Sequence, residues 1–180
     1  MGAAQHGNAA AMEELLRHYH DRVRHIAERM LGNRADAADA TQEALIAIAK
    51  GIGRFDGRSA FSTWAYRVTT NACLDEIRRR ARRPVPVDEI SDRPTGVGND
   101  PGTETVLDRM VLDSALARVP VEFRTALVLR DVCDLEYADI AEVLDIPPGT
   151  VRSRIARGRA HLANSLRGNQ TTEPERPNER

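Results

Sequence analysis

The sequence predicts an all-α protein: two small helical domains joined by a flexible linker, the second ending in a helix-turn-helix. Three observations carry that reading. Apolar residues recur at three- and four-residue spacing over most of the chain, the signature of amphipathic helices. Aromatics make up only 4% and charged residues 29% of the 180 residues, which suits helices packed by small aliphatic side chains better than a β-sandwich. Between the periodic stretches lies 84–107, with four prolines, three glycines, five acids and one base, a linker composition without helical period.

The divisions follow from those shifts: a first domain over 1–83, the acidic linker over 84–107, a second domain over 108–167, and a disordered tail over 168–180 marked by Pro174 and Pro177. In the first domain, Leu15, Leu16, Tyr19, Val23, Ile26, Ala27 and Met30 share one side of a helix from Ala10 to Leu31. Gly32-Asn33 closes it as a left-handed cap. A second helix spans Ala35 to Gly51, with Asp36 and Asp39 in its first turns, where a helix favours acids. A glycine-marked loop from Gly51 to Ser62 follows, and Ser62 or Thr63 is expected to cap the third helix. There Tyr66, Thr70, Cys73, Leu74 and Ile77 form the core stripe, and Trp64, Asn71, Asp75 and Arg78 the opposite one. The basic run Arg78 to Arg83 ends at Pro84. In the second domain, Met110, Val111, Ala115 and Leu116 restore the helical pattern, Pro120 breaks it, and short helices cover Glu122–Asp131 and Tyr137–Leu144.

Charge reverses at the next turn. Asp131 to Asp145 hold six acids and no base, whereas Pro147 to Arg167 hold five arginines and no acid. Pro148 suits the first position of a helix, where no N–H is needed. Val151, Ile155 and Leu162 give that helix an apolar stripe; Arg152, Ser153, Ala156 and Arg157 lie opposite, flanked by Arg154 and Arg159. A helix set into the major groove needs such a face: arginine forks for guanine edges, small residues for close approach, outer arginines for phosphates. A solvated basic surface helix is the alternative, and the acidic helix just before it argues against that.

A second nucleic-acid surface is expected in the first domain. Phe55, Phe61 and Trp64 are interleaved with Arg54 and Arg58 and followed by Asn71 and the Arg78–Arg83 run. Aromatics that stack on unpaired bases, beside arginines that follow the backbone, fit single-stranded DNA. The same three aromatics fit a hydrophobic core equally well.

The stretch DAADATQEALIAIAKGIGRFDGRSAFSTWAYRVTTNACLDEIRRRARRP resembles the second domain of extracytoplasmic-function (ECF) sigma factors of the bacterial sigma-70 family. LARVPVEFRTALVLRDVCDLEYADIAEVLDIPPGTVRSRIARGRAHL resembles their fourth domain. The resemblance implies a subunit that joins core RNA polymerase and directs it to promoters. Asp39, Gln42 and Glu43 would dock on the clamp helices of the largest subunit, and the fourth domain on the flap of the second-largest. Arg54, Phe55, Arg58, Phe61, Trp64, Asn71 and Arg78 would open and read the −10 element as single strand. Arg152, Ser153, Ala156 and Arg157 would read the −35 element as duplex, with Arg159 on a phosphate. Ala156 stands where such proteins often carry a bulkier residue. The family's usual regulator is an anti-sigma factor. Promoter elements two helical turns apart lie ~70 Å from each other at ~3.4 Å per base pair. A linker over 84–107 reaches ~80 Å at most, long enough to serve both.

Other functions fit less well. Asp36, Asp39, Asp56 and Asp75 are scattered, with no paired nucleophile and no glycine-rich phosphate loop, so no enzyme is expected. His18 and His20 point to different sides of one helix and make no metal site; no cofactor is expected. Cys73 and Cys133 read as buried free thiols. With no signal peptide and no apolar run near ~18 residues, a cytoplasmic protein without membrane insertion is expected. The competing reading is a stand-alone helix-turn-helix regulator that binds an operator without polymerase; a protein-interaction adaptor would need neither basic face.

Overall fold

The computed structural model describes residues 1–82 and 110–170. The linker expected over 84–107 lies outside them, as does the tail from 171 onward. Every regular element among the described residues is helical.

A short helix not anticipated from the sequence, α1 (Gly2–Gln5), precedes α2 (Ala9–Leu31). The Asn8 side chain accepts from the Ala11 N–H at 2.9 Å, and Gly32 closes α2 in the left-handed conformation at φ 66°. Asn33 then starts α3 (Arg34–Gly51) by accepting from the Ala35 and Asp36 N–H groups at 2.8 and 3.2 Å. One glycine and one asparagine thus reverse the chain between two long helices. After a 3₁₀ turn over Ile52–Arg54 comes α4 (Phe61–Arg82). It starts earlier than expected: Trp64 N–H bonds the Ala60 carbonyl at 3.1 Å, which places Ser62 and Thr63 inside the first turn rather than at the cap.

The second half contains α5 (110–117), α6 (Val121–Asp131), α7 (Tyr137–Leu144) and α8 (Pro148–Gln170). Asp145 ends α7 at φ 52°, a left-handed position that aspartate tolerates because its short polar side chain bonds locally. Pro148 opens α8 as expected, and α8 continues to Gln170, beyond the expected end of the domain at 167.

Two hydrophobic clusters hold these elements. One lies within the first half, where Ala4, Val23, Ile48, Phe55, Phe61 and Ala65 meet. The other crosses between the halves: Ile26, Met30 and Tyr66 pack into one buried group with Leu129, Ile140 and Val151. α2 lies against α6 and α4 against α7. A Cβ at Gly32 would stand 3.3 Å from that of Ala117, so the turn after α2 touches α5 closely. The two halves therefore share a core. The expected picture gave each half its own, because the periodicity of a helix shows which side is apolar but not what covers it.

Candidate nucleic-acid and polymerase interfaces

The face of α8 expected to meet duplex DNA is built as its periodicity requires. Val151, Ile155 and Gly158 are buried, while Arg152, Ser153, Ala156, Arg157 and Arg159 are exposed. Gly158 is where α8 crosses α6: a Cβ there would sit 3.0 Å from the Phe123 carbonyl oxygen and 3.4 Å from the Leu127 Cβ. That close crossing sets the angle at which α8 leaves the domain. Three of the exposed arginines have neighbours of their own. Arg152 lies 5.9 Å from the Tyr137 ring centroid and Arg157 5.8 Å from that of Phe123, within cation–π range. Arg159 is held by Asp131 of α6 at 2.7 Å, which pushes its pKa up through the hydrogen bond and then the charge.

In the first half the aromatics settle into the core. Phe55 and Phe61 are only 9% and 7% exposed, and Trp64 is half-buried. Their rings pack edge-on or tilted at 5.4–5.5 Å, and Tyr19 of α2 joins Phe61 at 5.1 Å. Of the two readings open for these residues, this arrangement is the core one, with little of Phe55 or Phe61 on the surface. Arg54 and Arg58 stand exposed on the loop above them, with Asp56 between. Asn71 and Arg78 are exposed on α4.

The basic run at the end of α4 is largely answered by acids. Arg78 bonds Asp75 at 2.5 Å, Arg79 bonds Glu43 at 2.8 Å and lies 3.2 Å from Glu76, and Arg80 bonds Asp36 at 3.0 Å. Glu76 is 1% exposed, a buried carboxylate that the linear charge count could not distinguish from a surface one. Glu43 and Asp36 belong to α3, so the run fastens α4 to α3. Among the polymerase-docking candidates, Asp39 and Gln42 are exposed, and Glu43 is already engaged by Arg79. Beside Gln42, the His20, Arg24, Leu45 and Ile46 side chains line a shallow groove between α2 and α3; Ile46 is exposed, and the sequence reading did not single it out. Its exposure breaks the apolar period of α3, and that break was the available signal.

Residues 15–83 match the family model of sigma-70 region 2, and 109–162 match that of sigma-70 region 4. The chain belongs to the ECF RNA polymerase sigma factors. It is 35% identical to ECF RNA polymerase sigma factor SigM of Mycobacterium tuberculosis, over 89% of this chain and 79% of that one. It is 34% identical to SigW of Bacillus subtilis, over 89% and 91%. With SigE of Mycolicibacterium smegmatis the identity is 40%, and this chain spans 64% of SigE's length.

Solved sigma-factor structures share the fold across both halves. The sigma factor RpoE of Bartonella quintana, solved with the anti-sigma factor NepR, superposes with a TM-score of 0.70 at 21% identity, covering 86% of this chain and 96% of that one. CnrH, solved with the cytosolic domain of CnrY, gives 0.69 at 22%, covering 93% and 95%. Two sigma regions in order disfavour the stand-alone regulator, which has no use for the first. Among the described residues, no cluster of side chains is suited to hold a metal ion, and no helix is long and apolar enough to cross a membrane.

Proposed function

We propose that this sigma factor joins core RNA polymerase in the cytoplasm and brings it to promoters by reading duplex DNA at the −35 element and unpaired DNA at the −10 element. The exposed acid-free face of α8 carries this reading. All five of its residues are exposed: on this reading Arg152, Ser153, Ala156 and Arg157 meet base edges, and Arg159 meets a phosphate. In region 2, Arg54, Arg58, Asn71 and Arg78 contact the −10 strand, while Phe55, Phe61 and Trp64 act from beneath by shaping the loop.

Core polymerase docks on α3 through Asp39, Gln42 and Glu43, with its clamp helices as partner, and region 4 meets the flap. The polymerase performs the chemistry. An anti-sigma factor is the proposed regulator; the complex of RpoE with NepR supports it by analogy. The segments 1–83, 84–107, 108–167 and 168–180 serve as region 2, tether, region 4 and tail.

In vitro transcription with purified core polymerase and a supercoiled promoter library, with the 5′ ends of the transcripts mapped, tests the proposal. The expected result is a discrete set of transcripts that core alone does not make. Transcription no higher than core alone sinks it, and tight operator binding without polymerase would restore the stand-alone regulator.

A further inference from the structure

The loop that carries Arg54 and Arg58 is fastened from an unexpected direction. The Gln5 side-chain amide, at the end of α1, donates to the Phe55 carbonyl at 3.0 Å and to the Ile52 carbonyl at 3.4 Å, some fifty residues away in sequence. Ile52 O already accepts from Phe55 N–H at 3.1 Å and so has a second donor. The Phe55 carbonyl is the last backbone group before the exposed tip Asp56-Gly57-Arg58, where Gly57 turns the chain at φ 73°.

Two features bring Gln5 there. Ala4 is 2% exposed and sits in the cluster that holds Ile52, Phe55 and Phe61. Gly7, at φ 84°, and the Asn8 cap then turn the chain from α1 into α2. The Phe55 ring is thus held by the core and its peptide plane by Gln5. Fixing both sets the direction in which the tip leaves the domain, and a binding loop already held in its bound shape loses less freedom on binding.

We infer that Gln5 is a positioning residue for −10 recognition: through two backbone carbonyls it aims the Arg54–Arg58 tip at the DNA strand. The inference rests on the proposed role of that tip at the −10 element. It requires a donor at position 5 and no contact between Gln5 and DNA.

The test uses holoenzyme assembled from the full chain and bacterial core polymerase, with run-off transcription from a promoter library randomised at both elements. Sequenced transcripts give the base enrichment at each element. Gln5→Glu keeps the shape but turns an acceptor toward two carbonyls. It should flatten −10 enrichment by about three- to ten-fold, the scale of one or two hydrogen bonds, with −35 enrichment and core affinity unchanged. Gln5→Lys, which can still donate, should recover most of the loss. Equal loss at both elements, or no loss at all, overturns the inference. Arg54→Ala and Arg58→Ala separate it from its premise. If they leave −10 enrichment intact, the role of the tip fails; if they reduce it while Gln5→Glu does not, only the role of Gln5 fails.

Discussion

Arg29 in α2 and Asp113 in α5 form an ion pair across 84 residues of sequence, tying region 2 to region 4 beside the core they share. The Arg29 side chain is 17% exposed and that of Asp113 33%. Nearby, Tyr66 of region 2 is raised in pKa by burial first and by Cys133 of region 4 second, with Arg22 opposing. The junction is therefore apolar at its centre and charged at its rim. α4 touches α7 within it, whereas promoter elements two turns apart lie ~70 Å from each other. On the proposed function, the packed arrangement must open before both elements are held.

Arg29→Gln should favour that opening by about 1 kcal/mol, as expected for a partly solvated pair. Cys133 reports it, since burial now pushes its thiol up to about 12. Its alkylation at pH 8 should quicken roughly five-fold, with Cys73 little changed. An unaltered Cys133 rate would show that the pair does not hold the halves together.

Burial likewise pushes the Cys73 thiol from 9.0 up to about 12. A group raised on folding contributes stability in full below its unfolded pKa and loses it as pH climbs through the folded value. Denaturant melts should therefore show stability falling from about pH 9 toward pH 12, and Cys73→Ala should fall less steeply over that window. Parallel slopes would assign the alkaline loss to other groups.

Arg159 must exchange Asp131 for a phosphate if it contacts DNA. Asp131→Asn removes the competing carboxylate and should tighten holoenzyme binding to −35 duplex by about 0.5–1 kcal/mol, read by fluorescence anisotropy. Asp134→Asn makes the same change in net charge, at a φ of 54° that asparagine tolerates. An equal gain from both variants would mean that only net charge matters.

Arg152→Ala should cost roughly 1–3 kcal/mol and relax preference at one −35 position. Equal loss on every sequence would make Arg152 a phosphate contact. Arg157→Ala should weaken binding and also lower the melting temperature, because its guanidinium lies over Phe123.

Two glycines of α8 should respond oppositely to alanine. Gly149 has open space around a new Cβ, so helix propensity gives Gly149→Ala a gain of up to ~1 kcal/mol. At Gly158 the new methyl meets the backbone of α6, which cannot yield without moving the helix, and overpacking costs about 1–3 kcal/mol. Thermal melts decide between them, and a stabilised Gly158→Ala would show that the crossing is loose.

Much of this was legible in the sequence because it is local. Gly32, Asn33, Pro120 and Pro148 punctuate the helices through their own backbone preferences, and the stripe of Val151 and Ile155 fixes which side of α8 faces outward. What stayed hidden depends on partners distant in the chain. Phe61 could stack on a base or fill a core until Tyr19 was seen beside it. Arg79 and Arg80 read as free cations because Glu43 and Asp36, their partners, lie some forty residues earlier. Gln5 belonged to no periodic pattern, and only its reach to the Phe55 carbonyl gives it meaning.

The pairs Arg79–Glu43 and Arg80–Asp36 join the helix proposed to hold the unpaired strand to the helix proposed to hold the polymerase. With α3 and α4 packed along each other, the two proposed grips would move as one unit. On the proposed roles, the offset between the strand-holding helix and the polymerase-holding helix is set by this one crossing, before any DNA arrives.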